Sequence, residues 1–115
     1  MVVDVLDDEQ VDRLFHALAD STRRDILRRA MDGDLSVSAL ARHYPMSFAA
    51  VQKHVAVLEH SGLVTKRKHG RRRLVTTDVD TIRTAQGLLD RYEELWRGRI
   101  DRMTTILATT EGDDA

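Results

Sequence analysis

From Ile82 to Leu107 the residues Ile82, Ala85, Leu88, Leu89, Tyr92, Leu95, Trp96, Ile100, Met103, Ile106 and Leu107 recur at helical spacing. The stripe predicts one helix of about eight turns, roughly 45 Å long at 1.5 Å per residue. Asp78 stands where a capping side chain would start it. A chain of 115 residues has material for one compact domain and no more. A domain of that size cannot cover so long a stripe, so Trp96, Ile100 and Met103 stay wet unless a second chain packs on them. A homodimer is the economical solution.

Shorter helices precede it. Val11, Leu14, Phe15 and Leu18 mark a first helix over 9–18, and Asp20-Ser21-Thr22 can cap a second, carrying Ile26, Leu27, Ala30 and Met31 up to Gly33. Ser36 can cap a third of about two turns, with Val37, Leu40 and Ala41, which ends by Tyr44 because Pro45 disfavours helical geometry in the residue before it. Ser47 opens a fourth, in which Phe48, Val51, Val55 and Leu58 form the buried stripe and Ser61-Gly62 the stop. The β-branched stretches Leu63-Val64-Thr65 and Leu74-Val75-Thr76-Thr77 flank a basic segment and read as a hairpin turning at His69-Gly70. The expected fold is mainly α with a small β-hairpin: a winged helix-turn-helix of five helices plus a two-stranded wing. It would occupy residues 9–109, between a flexible acidic N-terminus (1–8) and a disordered acidic tail (110–115).

Charge is segregated along the chain. The formal net charge is −1, yet Lys53, Lys66, Arg67, Lys68, Arg71, Arg72 and Arg73 fall within 21 residues that contain a single acid, Glu59. A charge run is commonly a solvated loop, but a basic hairpin directly after a helix-turn-helix fits a wing that tracks a nucleic-acid groove. Residues 1–12 carry five acids and no base, the opposite of a signal peptide, and no apolar run approaches the ~20 residues of a membrane span. A cytoplasmic protein without a membrane partner is expected. The chain has no cysteine, so disulfides and thiolate metal sites are excluded.

The two short helices joined through Tyr44-Pro45-Met46 form the helix-turn-helix, and the second would enter the major groove of double-stranded DNA. Opposite its buried stripe lie Ala49, Ala50, Lys53, Val57 and His60, with Gln52 and His54 on the flanks. Small Ala49 and Ala50 permit close approach or contact with thymine methyls, and Gln52 is the best base reader because its amide can pair with adenine. Lys53 can reach guanine or a phosphate. Ser47 either caps its helix or bonds a phosphate, and His54 either packs against the wing or donates to a phosphate. Phe48 belongs to the same candidate interface, as do Lys66, Lys68 and, foremost, Arg71, Arg72 and Arg73.

These residues resemble the ArsR/SmtB family of winged-helix repressors. The segments that carry the resemblance are Phe15–Leu27, Ser47–Leu58, Gly62-Leu63-Val64 and Gly70-Arg71. The resemblance implies a symmetric dimer built from the first and last helices, with Leu14, Leu88, Tyr92, Leu95, Trp96, Ile100 and Met103 at the interface. It further implies repression from a palindromic operator until a signal lowers DNA affinity. Phe48 stands where a polar residue is usual, and Gln52-Lys53-His54-Val55 where Ser-Arg-His-Leu is frequent, so the operator cannot be copied from other members. Metal-sensing members place Cys on the third helix or His and acids on the last; here the third helix reads Ser36-Val37-Ser38-Ala39-Leu40-Ala41, and the histidines, at 16, 43, 54, 60 and 69, all precede the last. No metal, no cofactor and an unknown effector are therefore expected. Tyr92 and Trp96 suit a dimer core or an effector pocket.

An enzyme finds no support: there is no Gly-rich phosphate loop, and Ser47 and His54 on one helix do not make a triad. The competing reading is a winged-helix protein-interaction module that does not read DNA. The discriminating feature is whether Gln52, Lys53 and the three wing arginines share one surface.

Overall fold

A computed structural model describes residues 7–113 of the chain, with side chains through residue 109. The elements follow in the order α1 (Asp8–Leu18), α2 (Ser21–Asp32), β1 (Leu35–Ser36), α3 (Val37–Ala41), α4 (Phe48–His60), β2 (Val64–His69), β3 (Arg72–Thr77) and α5 (Val79–Asp113). The five expected helices are present, but the sheet has three strands in the order β1-β3-β2, not two. The added strand is only two residues long, Leu35 and Ser36 pairing with Val75 and Leu74. So short a segment has no alternation to read; its backbone is extended because β3 offers it a free edge.

Local chemistry sets the helix ends. Asp7 and Gln10 form a capping box on α1, while Asp20, Ser36 and Ser47 cap α2, α3 and α4 through their side-chain oxygens. Of the segment expected to be flexible, 1–8, Asp7 is the cap and Asp8 the first residue of α1, and residues 1–6 lie outside the described residues. At its other end α4 closes with two reverse bonds, Leu63 N to Leu58 O at 3.1 Å and Gly62 N to Glu59 O at 3.0 Å. Gly62 takes φ +86° there, and a Cβ on it would also meet Thr81 Oγ1 at 3.3 Å.

The chain divides into two compact units, with the boundary in sequence between Thr84 and Ala85. The core of the first contains Leu14 and Ala17 of α1, Ile26, Leu27 and Ala30 of α2, Leu40, Val51, Val55, Leu58, and Leu63, Val64 and Val75 around the sheet. Phe48 departs from the expected stripe. Val51, Val55 and Leu58 are fully buried, whereas Phe48 is 47% exposed. It is the first residue of α4, one turn before the buried segment starts, so helical periodicity alone did not reveal that it stays in solvent.

The second unit is the body of α5. The helix runs to Asp113, so residues 110–113 of the expected disordered tail continue it; residues 114–115 lie outside the described residues. Leu89, Tyr92, Leu95, Trp96, Ile100, Met103 and Leu107 are exposed along it, with Leu88 half-buried. Among the described residues no helix is long and apolar enough to cross a membrane.

Candidate nucleic-acid interface

Ser47 Oγ accepts from the Ala50 N–H at 3.1 Å, so its side chain serves as the cap of α4. Behind the cap Ala49, Gln52 and Lys53 are exposed and Ala50 is half-buried. Gln52 faces a cleft of about 540 Å³ shared with Ser36, Ser38 and Arg42 at α3, Lys66 on β2, and Arg71, Arg72 and Arg73 at the wing. The fold thus brings Gln52 and the three wing arginines to one surface. Lys53 and Lys68 are exposed but do not line the cleft.

The wing turns through Gly70 and Arg71, one residue later than expected: His69 is still in β2, paired with Arg72. Gly70, at φ +63°, supplies the left-handed residue that a two-residue hairpin needs. Lys68 pairs directly with Arg73 across the strands. Like charges in that relation repel, a cost that an anion bound over the pair removes. Lys66 is half-buried and its Nζ lies 3.8 Å from Glu59, so this lysine is already engaged within the protein. Among the described residues no acid lies within ion-pair distance of Arg67, Lys68, Arg71, Arg72 or Arg73.

Two polar clusters hold the helix-turn-helix. Arg23 is buried, and its Nε and Nη2 donate to the carbonyls of Ala17 and His16 at 2.9 and 2.8 Å. Both carbonyls belong to the last turn of α1, where the Ala19 N–H donates to that of His16 at 3.2 Å. Arg23 Nη1 meets His54 Nδ1 at 3.2 Å. His54 is therefore bound to α2, and Nδ1 is unavailable to a phosphate. The signal for Arg23 was in the sequence: it precedes Ile26, Leu27 and Ala30 at helical spacing, on the buried face of α2.

The second cluster anchors the turn between α3 and α4. Tyr44 Oη donates to Asp25 Oδ2 at 2.6 Å, and Asp25 also accepts from Arg29 Nε and Arg28 Nη2, each at 2.9 Å. The hydrogen bond from Tyr44, then those from Arg29 and Arg28, hold the Asp25 carboxyl well below the usual carboxylate range. Desolvation and the adjoining carboxylate push the Tyr44 phenol up to about 12. Sequence reasoning missed Arg42 and Ser38 in the cleft, and also the Asp25–Tyr44 pair; nothing in local spacing joins residues 19 apart.

Among the described residues no three His, Asp or Glu side chains converge as metal ligands would. Leu14, expected at a dimer interface, is only 1% exposed within the protomer and has no surface left to offer, whereas its neighbour Phe15 is 37% exposed.

A short helix, a turn, a second helix with an exposed small-residue face, and a basic hairpin beside it define a winged helix-turn-helix DNA-binding domain of a transcriptional regulator. Residues 20–66 match the sequence model of the bacterial regulatory protein, arsR family. The HTH-type transcriptional regulator Rv2034 of Mycobacterium tuberculosis is 38% identical over 103 residues, which span 90% of this chain and 92% of that protein. The chain belongs to the ArsR family. An ArsR-like transcriptional regulator from Rhodococcus sp. RHA1 superposes with a TM-score of 0.80 at 30% identity, covering 88% of this chain and 93% of that one. The winged helix-turn-helix domain of Mb0332 from Mycobacterium bovis, described as homodimeric, superposes with a TM-score of 0.60 at 27% identity, covering 81% and 94%.

Proposed function

We infer that this regulator is a homodimeric repressor that binds a palindromic operator sequence-specifically in the cytoplasm and is released by a signal other than a metal ion. The observation that carries the reading is the single basic cleft in which Gln52 lies with Arg71, Arg72 and Arg73. Base contacts come from α4 through Phe48, Ala49, Ala50, Gln52 and Lys53, and phosphate contacts from Lys68 and the wing arginines, with Lys66 and His54 in supporting positions. Ser47 acts through the cap it makes on α4.

Two features support the homodimer: the exposed stripe on α5, where Tyr92 is 62% and Trp96 57% exposed, and the homodimeric state of the Mb0332 domain. Its interface on α5 comprises Leu88, Tyr92, Leu95, Trp96, Ile100 and Met103. A two-fold protein matches a two-fold operator. Repression follows from occupancy: a dimer lying across two successive major grooves excludes other proteins from that stretch. The non-metal signal rests on donor chemistry, since the chain has no cysteine and its five histidines all precede α5.

The test is selection of fragments from sheared genomic DNA by the purified protein at moderate salt, with a Gln52→Ala/Lys53→Ala double variant in parallel. An enriched inverted repeat that the variant fails to enrich is expected, as are a reporter silenced from that site and a complex that survives added Zn²⁺. Failure of the native protein to enrich any sequence overturns the reading in favour of an interaction module; a reporter that rises overturns repression alone.

A further inference from the structure

We propose that Phe48 and Gln52 act as one reading unit for adjacent A·T base pairs, the Phe48 ring against a thymine 5-methyl group and the Gln52 amide on the neighbouring adenine. The inference rests on the reading that α4 enters the major groove.

Phe48 is an anomaly for a domain that otherwise buries the apolar stripe of α4: Val51, Val55 and Leu58 are sealed, while the largest side chain of the series is about half in solvent. It lies at the N-terminal turn, the part of a recognition helix that reaches deepest toward base edges. Gln52 follows it by four residues, so the two side chains are neighbours on the helix surface, with Cβ atoms about 6 Å apart. That distance is on the order of one to two base-pair steps of 3.4 Å. Ala49 beside them is exposed and short.

The chemistry then selects the base. The major-groove edge presents hydrogen-bonding groups from every base and one apolar projection, the 5-methyl of thymine. A phenyl ring leaves polar edges of guanine, cytosine and adenine desolvated without a partner, and it gains contact only at thymine. A glutamine amide pairs with adenine N6 and N7 and has no comparable two-point match on guanine, whose N7 and O6 are both acceptors. An aromatic ring and an amide one helical turn apart thus favour A·T pairs in succession.

The experiment uses the full chain and a duplex from the genomic selection. Each thymine of a half-site is replaced in turn by deoxyuridine, which lacks only the methyl, and each adenine by 7-deazaadenine, which lacks N7; Kd is read by fluorescence anisotropy at fixed salt. We expect one thymine per half-site whose replacement weakens native binding about fourfold, the scale of burying one methyl-sized group. Phe48→Ala should bind the thymine and uracil duplexes alike, and Phe48→Leu should retain part of the difference. Gln52→Ala should lose the 7-deazaadenine effect at an adjacent pair while keeping the uracil effect. Equal native affinity for thymine and uracil duplexes, or discrimination that survives Phe48→Ala, overturns the inference and leaves the DNA-binding reading intact. A chain that enriches no duplex overturns both.

Discussion

Arg23 Nη1 stands 3.2 Å from His54 Nδ1, joining the first turn of α2 to the middle of α4. A guanidinium only donates, so the imidazole accepts at Nδ1 and carries its proton on Nε2. Through the same side chain the recognition helix is tied to the end of α1, because Arg23 also holds the carbonyls of His16 and Ala17. Two-bond ¹H–¹⁵N spectra should show His54 as the Nε2–H tautomer, and an Nδ1–H tautomer would contradict the contact. Arg23→Met removes the donors and leaves the Ala17 carbonyl without this partner, which should cost about 1–3 kcal/mol in urea unfolding.

The Asp25–Tyr44 pair gives stability a defined pH dependence. Asp25 is depressed on folding, so its contribution is complete above the unfolded value near ~4 and is lost as pH falls below it. The gap in urea midpoint between the native chain and Asp25→Asn should be wide at neutral pH and narrow in acid; a gap unchanged by pH would refute the assignment. Tyr44 shifts the other way: raised to about 12, it contributes below the unfolded value near ~10 and loses that contribution as pH climbs through about 12. With Tyr92→Phe leaving Tyr44 as the only tyrosine, absorbance titration of the folded chain should find a midpoint near 12.

Arg71, Arg72 and Arg73 line the cleft without acidic partners among the described residues. Each arginine that neutralises a phosphate should contribute about one to the slope of log K against log salt. Replacing all three by alanine should therefore flatten the salt dependence and weaken binding similarly across sequences, whereas Gln52→Ala should act mainly on sequence preference. A triple variant with the native slope would place the phosphate contacts elsewhere.

Trp96→Glu puts a charge in the middle of the exposed stripe of α5. Sedimentation velocity should then return a folded monomer where the native chain runs as a dimer, with operator affinity falling by orders of magnitude because the two half-sites are no longer bound as one. A Trp96→Glu chain that still sediments as a dimer would move the interface off this face.

Much of the fold was legible in local chemistry. Asp20, Ser36 and Ser47 are caps by residue type, and Gly70 serves the turn because glycine tolerates a left-handed backbone. The stripe from Ile82 to Leu107 specifies a helix too long to cover itself, and the charge between Lys66 and Arg73 marks the wing. Each of these follows from residues within a turn or two of one another, where spacing alone decides which groups meet.

What the sequence could not decide depends on which distant surfaces meet. Leu14 and Phe15 are adjacent and both apolar, yet only packing makes the first a core residue and leaves the second in solvent. Phe48 fits the periodicity of a buried stripe and lies outside it, because the core stops one turn short of the helix start. The third strand exists because β3 presents an edge to Leu35 and Ser36, and Asp25, Tyr44, Arg23 and His54 acquire their partners across 19 and 31 residues. Periodicity reports the face a side chain occupies on its own element; burial and long-range hydrogen bonds depend on what the rest of the chain brings to that face.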